Sequence, residues 1–129
     1  MVVNSKSKTR EPILRLVPRP ADINYNGHIF GGWILSEMNI AGGLVAARRA
    51  GRPVATVAIE AMKFLRPVLA GDWLSVYAEI IRVGRTSIST HIEVAVRRRG
   101  EPGELTVTEG RFVYVALGDG GRPTPVDPA

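Results

Sequence analysis

Residues 24–51 read NYNGHIFGGWILSEMNIAGGLVAARRAG, and this stretch decides the fold. A polar loop punctuated by glycine, and carrying His28, delivers the pair Gly31-Gly32 to the start of a long apolar run. That run predicts a single helix from Gly31 to about Ala50, stopped by Gly51, with Arg48 and Arg49 in its last turn. Ala41, Gly42, Gly43, Ala46 and Ala47 weaken intrinsic helicity but permit close packing, so the helix is expected to be buried. A helix start offers unpaired backbone N–H groups and the positive end of a dipole. Glycines at that point let a ligand approach the backbone closely. The arrangement suits a polarised carbonyl whose oxygen turns negative during reaction. Further along the helix, Asn39 is a lone polar residue on a mostly apolar surface.

Outward from the helix, the chain reads as strands. Ile13 to Val17 is a short strand candidate, stopped by Pro18 and Pro20. After the helix come extended stretches at Val54 to Phe64, Trp73 to Val83, Thr86 to Arg98 and Thr106 to Leu117. In the third of these, Ile88, Thr90, Ile92, Val94 and Val96 alternate with Ser87, Ser89, His91, Glu93 and Ala95. Such a period of two is expected of a strand buried on one face. Short turns between the later strands imply successive hairpins and an antiparallel sheet. One helix about 30 Å long would lie along it. The expected architecture is a single α+β domain of hotdog type, an antiparallel sheet wrapped around one long central helix. The domain is expected over residues 13–117, with flexible tails at 1–12 and 118–129 rich in glycine and proline at the end.

With 129 residues the chain is the size of one domain, and 45% hydrophobic residues can build its core. The absence of cysteine removes disulfides, thiolate metal sites and a cysteine nucleophile. The start is polar and basic without an apolar run, and Met38 to Ala47 is too short to span a bilayer. A cytoplasmic protein without membrane partner is therefore expected. The net charge of +5 attracts polyanions. Arg97-Arg98-Arg99 reads as a solvated hairpin end, and no nucleic-acid-binding motif accompanies the charge, so no nucleic-acid partner is expected. There is no nucleophile elbow, phosphate loop or H-E-x-x-H, and two isolated histidines make a poor metal site, so no metal is expected.

The segment Gly27 to Met38 resembles the signature of bacterial hotdog acyl-CoA thioesterases of the YciA type. Val57 to Pro67, Val68 to Asp72, Val83 to Ser87 and Phe112 to Ala116 match further motifs in order, so the resemblance covers roughly residues 13–123. It implies hydrolysis of acyl-CoA to free fatty acid and CoA, with CoA as part of the substrate and no cofactor. It implies a homodimer whose sheets join edge to edge, active sites between subunits, and assembly to tetramers or hexamers. By position, the backbone N–H groups of Phe30, Gly31 and Gly32 would hold the thioester oxygen, and Asn26 would lie against substrate. A helix carboxylate, usually aspartate, would act as base or nucleophile, and the matching position here is Asn39. Thr56 matches a position near the opposite wall of the site. Arg85, with the backbone of Gly84 and Thr86, matches the nucleotide tunnel, where arginine can grip phosphate.

Asn39 departs from that pattern. An amide is neutral and neither takes a proton from water nor attacks a carbonyl well. Read from the residues alone, Asn39 is a buried amide that fixes packing; the resemblance makes it an active-site position. Glu37 is rotated by about 200° from Asn39 and should face elsewhere. Asp22 caps a turn. His28 precedes the glycine turn and is the candidate base, or else a loop histidine bonded to backbone. Gly31 and Asn39 are about 12 Å apart along one helix, so they can serve one carbonyl only across an antiparallel pair of helices. Two alternatives stand beside the thioesterase: a non-catalytic acyl-CoA binding protein, for which Asn39 is the reason, and a hotdog enoyl-CoA hydratase. Asp22-Ile23-Asn24 followed by His28 is a faint likeness to the hydratase loop, one residue too long and without its proline.

Overall fold

The structure is a computed structural model that describes residues 10–128. Its elements are β1 (Leu14–Leu16), α1 (Gly31–Ala50), β2 (Val54–Phe64), β3 (Trp73–Val83), β4 (Ser87–Arg97) and β5 (Leu105–Ala116), with short 3-10 turns at Pro20–Asp22 and Asp119–Gly121. In β4 the alternation of the sequence becomes a buried face. Ile88, Thr90, Ile92, Val94 and Val96 all lie inside, and the one hydroxyl among them is satisfied, since Thr90 donates to the Phe112 carbonyl at 3.0 Å. Leu74 and Val76 of β3 and Phe112 and Tyr114 of β5 extend the same face.

The helix lays Ile34, Met38, Ala41, Gly42 and Ala46 on this core. These positions recur at helical spacing and make one stripe. Its end is as expected: Gly51 takes a left-handed conformation with φ 70° and donates to Ala47 O at 2.8 Å. The small residues do permit close approach. A Cβ added to Gly42 would sit 2.5 Å from Ile92 Cδ1 and collide with Tyr114. The helix is not buried all round, however. Ile40 and Leu44 are exposed on its other side, because the sheet covers only one stripe.

The sheet is antiparallel and five-stranded, in the order β1-β3-β4-β5-β2. This is the hotdog arrangement, a sheet curled on one long helix. The hairpins run from β3 to β5; β2 and β3 do not form one. The loop 65–72 instead carries the chain from one side of the sheet towards the other, and β2 pairs with β5. That loop is pinned at both ends. Leu65 and Arg66 both donate to Val107 O, and Arg98 holds the buried Asp72 carboxylate at 2.8 Å. Arg98 is thus a structural cation and not part of a solvated hairpin end.

Strand β2 forms an open edge of the sheet. Val57, Ile59 and Phe64 on it are exposed, and two register shifts and a positive φ of 50° at Ala61 interrupt its pairing. At the chain ends, 1–9 of the expected first tail lie outside the described residues, while Arg10 packs on the Tyr77 ring and Glu93. Residues 118–128 do not behave as a loose tail. Val126 is buried in the core, its N–H bonds Arg85 O at 2.8 Å, and Asp127 pairs with Arg49 at 2.9 Å. Among the described residues no helix is long and apolar enough to cross a membrane.

Candidate active site

The loop before α1 is held by its own backbone. The Asn24 side chain accepts from the N–H groups of Asn26 and His28, and Asn24 N donates back to His28 O at 2.7 Å. Gly27, at φ 83°, makes the turn between them possible. Ile29 is buried and donates to Val68 O at 2.9 Å, which leaves His28 and Phe30 exposed on either side. The His28 imidazole makes no hydrogen bond among the described residues, so its ring is available for chemistry while its backbone is fixed. Asp22 sits under this loop, and the Arg19 side chain and backbone hold its carboxyl below the usual carboxylate range. Its role is to cap that turn.

The helix start has no side-chain cap. Phe30 N–H, one of the three expected donors, is already committed to Asp22 O at 2.9 Å. This is a backbone pairing across the loop that spacing could not reveal. Trp33 and Ile34 both donate to Phe30 O. Gly31 and Gly32 are left as the pair whose N–H groups have no acceptor among the described residues. A Cβ on Gly32 would meet no heavy atom within 4 Å, so the side-chain position of that residue is open. The Phe64 ring lies beside Gly31, at 3.5 Å from where a Cβ would be, and walls one side. Phe64 was not singled out from the sequence; it sits far from the glycine pair in the chain, and only the fold brings the end of β2 to it.

Asn39 lies elsewhere on the helix and contacts neither His28 nor the glycine pair among the described hydrogen bonds. Its Oδ1 accepts from Thr56 Oγ1 at 2.6 Å. Thr56 therefore stands beside Asn39 within one chain. The Asn39 backbone carbonyl accepts from the buried Tyr114 hydroxyl at 2.9 Å, and burial raises that phenol's pKa, keeping it a donor. Asn39, Thr56, Ile40, Leu44 and Val54 line a shallow depression of about 340 Å³, open to solvent. With Oδ1 engaged, Nδ2 is the end of the amide without a hydrogen-bond partner among the described residues, so this position offers hydrogen-bond donors and no base.

Gly84, Arg85 and Thr86 form the β3–β4 turn. Gly84 N donates to Ser87 O at 2.8 Å, and a Cβ there would crowd Ser87 Oγ at 2.7 Å. Thr86 O and Arg85 O are taken by Ala116 and Val126, which leaves the exposed Arg85 guanidinium without an ion pair among the described residues. Among the described residues no group of three or more His, Cys, Asp or Glu side chains is placed to hold a metal.

The structure is a hotdog sheet on one long helix, with the N–H groups of Gly31 and Gly32 at the helix start lacking an acceptor among the described residues, and the relatives of the chain define its class. The thioesterase superfamily pattern matches residues 26–103. The acyl-CoA thioester hydrolase YciA of Salmonella typhimurium is 45% identical over 119 residues, covering 90% of each chain. A hexameric thioesterase from Yersinia pestis superposes with a TM-score of 0.84 at 42% identity, covering 91% of this chain and 95% of that one. A hexameric broad-specificity acyl-coenzyme A thioesterase, crystallised as an aspartate-to-alanine mutant, gives a TM-score of 0.85 at 37% identity, over 90% and 86% of the two chains. The chain belongs to the thioesterase superfamily.

Proposed function

We propose that the protein hydrolyses acyl-CoA thioesters at a site shared by two subunits. The observation that carries this reading is the pair of N–H donors at Gly31 and Gly32, which have no acceptor among the described residues and carry no side chain, in a thioesterase fold. The thioester oxygen sits on these donors, which strengthen their hold as the carbon becomes tetrahedral. A water oxygen forms the new bond to that carbon. Its proton passes to a base, the C–S bond breaks, and the thiolate of CoA leaves and takes a proton. The products are a fatty acid and free CoA, and the scheme draws on water, the backbone donors and side chains.

The distance of about 12 Å between Gly31 and Asn39 along one helix keeps them from serving one carbonyl within a chain. Asn39 of the partner subunit meets the glycine pair if two helices lie antiparallel. The open β2 edge and the exposed Ile40, Leu44, Val57 and Ile59 support such pairing, since an unpaired apolar edge is a liability that a second copy removes. Dimers joined in this way would build the hexamer that the solved relatives form. In this scheme Asn39 orients the water or substrate through Nδ2, Thr56 positions the amide, and His28 takes the proton. Asn26 and Phe30 border the acyl group. Arg85, with the turn of Gly84 and Thr86, holds the phosphates of CoA, and the cytoplasm is the proposed location.

The amide at Asn39 favours one second reading, an acyl-CoA binding protein that has lost turnover. A thiol-release assay over acyl-CoAs of increasing length, on wild type, His28→Ala and Asn39→Ala, separates the two. Hydrolysis that falls in both variants supports the enzyme. Tight CoA binding with no thiol release at any length supports the binding protein. Unchanged turnover in both variants removes them from the site.

A further inference from the structure

On the opposite face of the sheet from α1 lies a cleft of about 460 Å³, within the range of small-ligand sites. It is built by the start of β3, the end of β4 and the β1 edge. Because Leu74 and Val76 point into the core, Trp73 and its alternate neighbours Ser75 and Tyr77 face the other way. Trp73 is 66% exposed, a large apolar ring left uncovered. Arg97 is its direct cross-strand partner, and Arg15 sits opposite Ser75, one step further along the cleft. Neither arginine has an ion pair among the described residues. Val17 completes the apolar floor.

The remaining charges of the cleft are spoken for. Arg10 is bound by Glu93 in a two-pronged pair at 2.9 and 3.2 Å, and the Glu104 carboxylate accepts the Tyr77 hydroxyl at 2.8 Å. They close the far end of the cleft, where Arg10 and Glu93 cancel and the Glu104 carboxylate keeps one negative charge. What is left open is a flat indole flanked by two free guanidinium groups. An aromatic ring stacks on the first, and the second kind of group grips phosphate oxygens in pairs.

We propose that this cleft is a second ligand site, taking a heteroaromatic ring that carries phosphates, as in a nucleoside diphosphate. It lies at the Trp73 end of β3, roughly 35 Å along the strand from the Gly84 turn. It is therefore separate from the phosphate contacts assigned to Arg85, and the inference does not rest on the thioester reading. The same ring-and-phosphate chemistry is present in a free nucleotide and in CoA itself.

The test is a titration of the whole protein, in a Trp33→Phe background so that Trp73 is the remaining indole, with ADP, CoA, adenosine and inorganic pyrophosphate as probes. ADP should quench Trp73 fluorescence to saturation, and adenosine or pyrophosphate alone should bind at least about tenfold more weakly. Arg15→Ala and Arg97→Ala should each weaken ADP by roughly tenfold or more, with thermal melts confirming the fold. By calorimetry Trp73→Ala should lose roughly tenfold or more, while Trp73→Phe keeps the stacking face and most of the affinity. CoA quenching that depends on the same arginines identifies CoA as the source. Quenching by CoA that is lost only with Arg85→Ala, absence of saturation at millimolar ADP, or binding indifferent to Arg15, Arg97 and Trp73 overturns the proposal. So does a change of oligomer size in Trp73→Ala without nucleotide binding, which would make the cleft a contact between copies.

Discussion

Replacing Gly32 by alanine should separate stability from catalysis. Nothing lies within 4 Å of a Cβ built at Gly32, and its backbone is not in the left-handed region. Alanine therefore fits within the chain. It is also the better helix former, by at most about 1 kcal/mol. For a domain of this size that corresponds to a melting temperature unchanged or raised by roughly 2–5 °C. Gly31→Ala should behave alike, since its Cβ would stand 3.5 Å from the Phe64 ring, an ordinary contact. Turnover should respond in the opposite sense. The methyl group keeps the N–H but occupies the space through which a thioester oxygen would reach it. Loss of one donor of this kind lowers kcat by about 10²–10³. The assay is thiol release from a series of acyl-CoAs, paired with calorimetry and with sedimentation to confirm an unchanged assembly. Undiminished kcat/KM in both variants, with melting temperature and assembly intact, would refute the idea that the helix start is where the carbonyl binds.

Other outcomes follow from single contacts. Asn39→Asp supplies a carboxylate where the amide offers none, and should raise kcat by up to about 10²–10⁴ if the base is what limits turnover; a lower rate in the same assay would count against that position being catalytic. Thr56→Val removes the donor that holds the Asn39 Oδ1, worth about 0.5–1.5 kcal/mol, so kcat should fall by up to roughly tenfold with little change in KM. Arg98→Ala leaves the Asp72 carboxylate buried beside a single backbone N–H, and urea melts should show a loss of about 3–5 kcal/mol. A loss of only a few tenths would mean the loop 65–72 is held by other contacts. The Arg19 hydrogen bonds lower the Asp22 pKa in the folded state relative to an unfolded value near ~3.9. Their contribution is thus fully present above that value and disappears as pH falls through the folded one. Melting curves of wild type and Arg19→Ala should differ at neutral pH and converge in strong acid; a gap that persists there would place the effect elsewhere.

Much of this was legible in the sequence because periodicity reports local burial. The strict alternation of β4 and the Gly51 stop of α1 translate directly into a buried face and a left-handed cap. Strand β2 was visible as a strand, but not where it pairs. Its apolar residues fall on both faces, so the pattern carries no orientation, and its partner β5 is chosen by a loop crossing that spacing does not encode. The last residues were hidden by composition: glycine and proline mask Val126, which a turn at Gly118 to Arg122 steers back onto the core. The glycine pair at the helix start was readable from residue type alone. That Phe30 would spend its N–H on Asp22 was not, because a carbonyl in a preceding loop leaves no mark on the side-chain sequence.

The Thr56–Asn39 pair gives a physical account of an amide at the position where the family resemblance implies an acid. The surface around it, Ile40, Leu44 and Val54, is apolar and is the face a second subunit would cover. A carboxylate covered there would lose its water for one hydroxyl donor, and removing a charge from water costs several kcal/mol. An amide in the same place needs far less, and Thr56 already satisfies its oxygen. In the proposed shared site asparagine would stabilise the joint between subunits while withdrawing the base from its centre, and the proposed proton transfer would then start from another group. His28 is the group this scheme assigns: it is exposed in the single chain, its ring has no hydrogen bond among the described residues, and the hydrogen bonds of Asn24 fix its backbone three residues before Gly31.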